Sequence, residues 1–307
     1  MAESQLTVIT PSYRNDYDLA VDLCRSMDQF LQVPFKHFLI VPKSDIALFA
    51  PLRSANRILI SKEELLHRHG FYKIPFPKRI YIPGLVDIRT REQWYRPGVG
   101  RVTGWLVQQL VKLSAPELAD SDYYMFIDSD NVLFRPMKMT DLVSSDSIKL
   151  ARRPLTPDMH EHLLWHRNAL SLLGVAQFDD TKYNYIGHFI VWKRDAILAL
   201  QQQIEKISGE DWRTTLSKKK AVSEYILYGV FCETVGKAAN YHVLVEPELT
   251  CSYWTSSEED LNVPEMAKSL KPTHVALHIQ STIPMPMEKR RRLISALADS
   301  APPKPAA

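Results

Sequence analysis

Two carboxylates one residue apart, Asp128 and Asp130, end the segment that starts with the apolar run Tyr124-Met125-Phe126-Ile127. Carboxylates this close repel one another unless a cation or hydrogen bonds compensate them. Their hard oxygens suit magnesium or manganese beside a phosphate-bearing substrate. If the apolar run is a sheet strand, the pair stands at its carboxyl end, where open α/β sheets hold their ligands. A solvated turn uses the same residue types, because Asp, Ser and Asn are common at strand ends. The pair therefore gains meaning only from the elements around it.

Those elements alternate. LTVITPSY reads as a buried strand closed by a Pro-Ser turn, and Asp16 to Phe30 as a helix with Leu19, Leu23, Met27 and Phe30 on one face. FKHFLIVP and RILIS read as further strands. Residues 70–100, rich in Pro, Gly, Tyr and Arg, read as irregular and mobile, with a short strand at RIYIP. Val102 to Leu113 is a predicted helix, Asp122 to Phe134 the strand that carries the carboxylates, and NYIGHFIVW another strand. Helices are expected from Arg194 to about Ile207 and over 224–235, with late strands at YHVLVEPE and HVALHI. Residues 150–182 and 208–220 show no clear strand. The alternation predicts an α/β fold with a mixed, mainly parallel central sheet flanked by helices. One domain over 1–300 is expected, with a nucleotide-binding half at 1–140 and an acceptor-binding half at 141–300. Residues 301–307 read as a disordered tail.

Composition excludes several classes. The chain has 307 residues, 45% of them hydrophobic and 24% charged, which argues against disorder, collagen and coiled coil. No apolar run nears the roughly 18 residues of a membrane span, and the N-terminus lacks the pattern of a secretory signal. The 3 cysteines, Cys24, Cys232 and Cys251, are scattered, which suits a reducing cytoplasm and speaks against structural zinc. A net charge of +3 does not require a nucleic-acid partner.

Several segments in order resemble the glycosyltransferases of the GT-A fold. These are the opening strand TVITPSYRND, the helix GWLVQQLVKL before the DSD motif, the segment Asn184-Tyr185-Ile186-Gly187-His188, the helix start Ser223-Glu224-Tyr225, and HVALHIQS near the end. The resemblance implies that Thr10, Pro11, Ser12, Tyr13 and Asp16 line the nucleoside. It makes Gln108 and Lys112 sugar or phosphate contacts, and Ser129, Gly187 and His188 donor contacts, with Gly187 allowing close backbone approach. It implies a manganese or magnesium ion on Asp128, Asp130 and His278, with His274 as the competing imidazole. Glu224 is the implied general base of a reaction in which inversion is favoured. The family pattern usually has Asp in the following position, where this chain has Tyr225, so a retaining reaction stays open.

The implied reaction moves a sugar from a nucleoside-diphosphate donor, UDP by family frequency, to a hydroxyl of a glycan or lipid-linked acceptor in a bacterial cytoplasm. Arg89, Arg91, Arg96 and Arg101 could close over the diphosphate. His160, His162, Trp165 and His166 would shape the acceptor site, with Trp165 stacking on sugar. Lys289-Arg290-Arg291-Arg292 is either a solvated helix face or a contact to anionic lipid at the inner membrane. The other readings of DSD are a phosphohydrolase, for which Asp179-Asp180 is the available second acidic pair, and a non-catalytic nucleotide-sugar-binding protein.

Overall fold

The computed structural model describes residues 6–75, 79–82, 85–90, 92–144, 147–176, 182–219, 221–237, 242–245, 249–255, 257 and 261–304. Strands β1 (Leu6–Pro11), β2 (Phe35–Val41) and β3 (Arg57–Ser61) pair in parallel, as their nearly continuous apolar runs demand of a sheet covered on both faces. Helix α1 (Tyr17–Phe30) joins β1 to β2 and buries Leu19, Leu23 and Met27 at helical spacing. Strand β4 (Tyr123–Phe126) lies parallel to β1 on its other side, with Ile9 opposite Phe126. The carboxyl ends of β1 and β4 are therefore neighbours, and the segments that follow them emerge together.

The single predicted strand over 122–134 is two strands, because the chain leaves β4 at Ile127, turns through Asp128–Asp130 and enters β5 (Asn131–Leu133). Strand β6 (Ile190–Lys193) runs antiparallel to β4 and completes a five-stranded sheet of order β6-β4-β1-β2-β3. Strand β5 belongs instead to a small sheet with β7 (Thr250–Tyr253) and β8 (Ala276–Ile279). Its register sets Asn131 against His278. The carboxylate turn is thus the crossover between two sheets.

Helix α2 (Gly104–Leu113) starts two residues later than expected. Val102 is held in a hairpin of Gln93–Arg96 with Gly100–Thr103, and the Thr103 hydroxyl caps the helix at Leu106 N–H. The short strand expected at RIYIP is Arg79–Ile82, paired to Val86–Arg89, and the hairpin gives order to a further part of the region expected as irregular over 70–100. Residues 150–182 contain helix α3 (His160–Leu173), which Gly174 ends in the left-handed conformation that a Cβ disfavours. Helix α4 (Arg194–Ser208) and helix α5 (Glu224–Thr234) fall where predicted. The polar stretch before α5 forms a short helix over Trp212–Ser217, capped by Asp211.

Helix α6 (Met287–Asp299) closes the elements. Beyond it Ala301–Lys304 are held rather than loose: Arg135 donates to Pro302 O at 2.9 Å, and Lys304 pairs with Asp141 at 2.7 Å. The two halves expected around residue 140 share one sheet, through β6, and one core that joins Ile9, Leu110, Trp192 and Leu227.

Candidate functional site

A cavity of about 800 Å³ opens where β1 and β4 end. Of the residues expected at a donor site, Pro11, Ser12, Tyr13, Asp16, Gln108, Lys112, Asp128, Ser129, Asp130, His188, Glu224 and His278 all line it. Thr10 does not. It is fully buried one residue earlier in β1, where strand alternation turns it to the His37 ring at 3.0 Å. Gly187 also faces elsewhere, toward a second cavity, and its neighbours Ile186 and His188 reach this one. The expected close approach of Gly187 backbone to the donor is therefore not what the fold provides.

The carboxylate turn is held from below. Asp128 O accepts from Asn131 N at 3.2 Å and Asn131 Nδ2 at 3.0 Å. Arg290, buried on α6, donates to Asp130 O at 2.9 Å and to Ile279 O at 2.6 Å, tying the turn to the end of β8. Asp130 Oδ2 lies 3.3 Å from His278 Nε2 and accepts from Ser281 N at 3.2 Å. Burial alone would raise the Asp130 carboxyl, but the His278 hydrogen bond and the charges of His278 and Arg290 outweigh it and hold it below the usual range. Ser12 Oγ donates to Ser129 Oγ at 3.3 Å and links the loop after β1 to the turn.

Asp16 completes an acidic pole. Its carboxyl is raised to about 6, by burial first and then by the charges of Asp130 and Asp128. His278 is only 1% exposed and packs against the His188 ring at 3.8 Å and Trp254 at 4.9 Å. Burial and His278 together push His188 down to about 3, so its imidazole is neutral.

In the same cavity, Lys112 of α2 meets the first turn of α5. Lys112 Nζ lies 3.0 Å from Glu224 Oε1 and donates to Tyr225 Oη at 2.7 Å, with both Lys112 and Glu224 buried. Burial disfavours the ammonium, yet Tyr225, Glu224 and Asp128 hold its pKa well above the ordinary value. Ser223 caps α5 at Ile226 N–H, as its residue type and position suggest. Trp165 reaches the cavity and packs on Trp105 at 5.5 Å and on His162 at 4.8 Å. His166 is buried. His274, the competing ligand, turns its Nδ1 to Lys271 N at 3.1 Å.

Several cavity residues carry no recognisable signal in the sequence. Gln109 is buried with both amide atoms unpartnered. Arg14 is paired with Asp45 at 3.0 Å, Lys62 with Glu92 at 2.5 Å, and Lys73 with Glu63 at 2.8 Å. Among the arginines expected as a lid, Arg96 is held by Asp211 at 2.9 Å. Arg101 is exposed on its hairpin. Arg91, the Arg89 side chain and the pair Asp179-Asp180 lie outside the described residues. The basic run divides: Arg290 turns inward, Arg291 pairs with Asp22 at 2.8 Å, and Arg292 pairs with Glu288.

Among the described residues no group of three or more His, Cys, Asp or Glu side chains converges as a metal cage. Asp128 therefore does not join Asp130 and His278 in a closed three-ligand set. Asp130 and His278 do face one another in contact distance, within an acidic pole that adds to burial in raising Asp16. That donor pair fits a divalent cation that draws its remaining ligands from a diphosphate and water. No helix among the described residues is long and apolar enough to cross a membrane. No curated protein matches the chain. The profile of the family of unknown function DUF6492 matches residues 6–301, nearly the whole length, and the chain belongs to that family.

Proposed function

We propose that this chain is a cation-dependent glycosyltransferase of GT-A type that moves a sugar from a nucleoside-diphosphate donor to an acceptor hydroxyl. One observation carries the reading: the Pro11–Asp16 loop, the Asp128–Asp130 turn and His278, far apart in the chain, meet in one cavity at the ends of β1 and β4. The sheet order supports a nucleotide site there, because ligands of open α/β sheets bind beyond the carboxyl ends of the strands. A cation held at the acidic pole would take the anionic end of a substrate, and the buried Lys–Glu pair lines the same cavity.

Asp130 and His278 would hold the cation, which when bound would supply Lewis-acid neutralisation of a departing diphosphate. The chain's own groups do the rest. The Pro11–Asp16 loop supplies Tyr13, 45% exposed, as a face for the base. Gln109 presents an unpartnered donor and acceptor to sugar hydroxyls. Glu224, held by Lys112 at 3.0 Å, is the carboxylate that would accept a proton from the attacking hydroxyl.

The test is thermal stabilisation and slow donor hydrolysis across uridine, guanosine, cytidine and thymidine diphosphate sugars, with and without manganese. One donor should stabilise the protein only with manganese, and Asp130→Ala should lose that response. Glu224→Gln should keep donor binding and lower transfer by about 10²- to 10⁴-fold, the usual range for a general base. No manganese-dependent response to any donor would exclude the reading. Release of phosphate from a generic phosphoester, abolished by Asp128→Asn, would replace it with a phosphohydrolase.

A further inference from the structure

A second cavity, of about 1030 Å³, opens beside the edge strand β6 and shares His188 with the first. Phe134, Phe189 and Leu249 give it an apolar body, and Ala301–Lys304 form one side. Its charged residues are Arg135, Lys138, Lys149 and Lys304 against a single carboxylate, Asp141. Of the four cations only Lys304 pairs with that carboxylate, at 2.7 Å. Arg135 Nη1 donates to Pro272 O at 3.3 Å and to Pro302 O at 2.9 Å, while Lys149 Nζ donates to Thr140 O at 2.7 Å. Carbonyls satisfy hydrogens, and the Phe134 ring lies 4.4 Å from the Arg135 guanidinium carbon, but no carboxylate is paired with Arg135 or Lys149 among the described residues. Arg135 Nη2 is buried with no hydrogen-bond partner at all. A polar donor stranded in this way is costly unless something accepts from it.

An apolar body with excess positive charge at its rim is complementary to an amphiphile with an anionic head. Phosphate suits this rim, since a guanidinium binds its oxygens through several N–H groups and lysines add point charge. We propose that the second cavity binds a phosphate-headed lipid, with its acyl or prenyl chain along Phe134 and Phe189 and its phosphate against Arg135, Lys138 and Lys149. The binding stands apart from the reading of the first cavity. The role of the lipid as anchor of the acceptor rests on that reading, and His188, stacked on His278 at 3.8 Å, is the wall the two ligands share.

Calorimetric titration with dodecyl phosphate below its micelle concentration tests this. Saturable 1:1 binding is expected. Butyl phosphate, inorganic phosphate and dodecyltrimethylammonium should each bind at least tenfold more weakly. Lys138→Glu with Lys149→Gln should weaken dodecyl phosphate at least tenfold with an unchanged melting temperature. If the double variant is unstable, Lys138→Glu alone, on an exposed side chain, should weaken it at least threefold. Asp130→Ala should bind dodecyl phosphate as the parent does while losing its manganese-dependent response to nucleotide, which separates failure of one cavity from failure of the other. Absence of dodecyl phosphate binding overturns the proposal, as does equal binding of the cationic amphiphile or indifference to the lysine variants. Equal binding of inorganic phosphate overturns the lipid and leaves a free-phosphate site.

Discussion

Lys112 and Glu224 are removed from water together, and each is tolerable only because of the other. Taking one partner away leaves an uncompensated buried charge, which costs about 3–5 kcal/mol, whereas replacing both with neutral groups of similar volume can cost far less. Lys112→Met should therefore destabilise the protein by roughly that amount, and Lys112→Met with Glu224→Gln should recover much of it. Urea unfolding of the single and double variants measures this. A double-variant loss equal to the sum of the Lys112→Met and Glu224→Gln losses would mean that the pair is not coupled. From the sequence, Lys112 shares a polar helix face with Gln108, and a sugar or phosphate contact is implied only by the resemblance. Only the docking of α5 onto α2 turns it inward, and that contact joins residues more than a hundred positions apart.

At the scale of elements, α5 is pressed onto the loop that delivers His188. Gly229 lies so close to Tyr185 that a Cβ would stand 2.2 Å from the ring. Tyr185 is buried and cannot swing out. Gly229→Ala should force helix and loop apart, at about 1–3 kcal/mol, as overpacking of a filled core does. It should lower the melting temperature and also weaken donor binding, because the displaced loop carries His188. A fully stable Gly229→Ala variant would show that the contact yields at no cost. The segment NYIGH reads as a glycine approaching the donor. The glycine that close packing requires in this region is Gly229, on a helix whose partner cannot be identified from local pattern.

Across the molecule, buried histidines set how stability depends on pH. Arg57 Nε donates to His37 Nδ1 at 2.9 Å, which leaves Nε2 to bond Thr10 Oγ1 at 3.0 Å and fixes a neutral ring. Burial, then the Arg57 charge, keeps its pKa well below the usual value. His242 is pushed to about 3, by burial first and by Lys193 in part, and bonds Tyr228 Oη at 2.7 Å. In the unfolded chain both titrate near 6.5. Their contribution is complete above that pH and is lost as pH falls, because the unfolded state binds protons the folded state refuses. Each such histidine costs roughly 1.4 kcal/mol per pH unit below about 6.5, down to its folded pKa. Urea midpoints should fall from pH 7.5 to pH 5, and His242→Gln should reduce the slope. A midpoint that rises or stays level on acidification would contradict this.

Local chemistry settled much of this protein. Apolar runs bounded by Pro, Ser and Asp specified β1, β2, β3 and β4, helical spacing specified α1, and Ser223 announced the start of α5, because burial periodicity and capping act over a few residues. The DSD turn was readable for the same reason, and the sequence alone could rank Asp130 and His278 as partners only by resemblance. Their meeting at 3.3 Å is decided by the register of β5 with β8, and the placing of the Pro11–Asp16 loop beside them by the register of β1 with β4. Pairings between distant segments depend on long-range burial and hydrogen bonding, which no local pattern encodes. The inward turn of Arg290, the fate of Lys112, the true facing of Thr10 and Gly187, and the second cavity are consequences of those pairings.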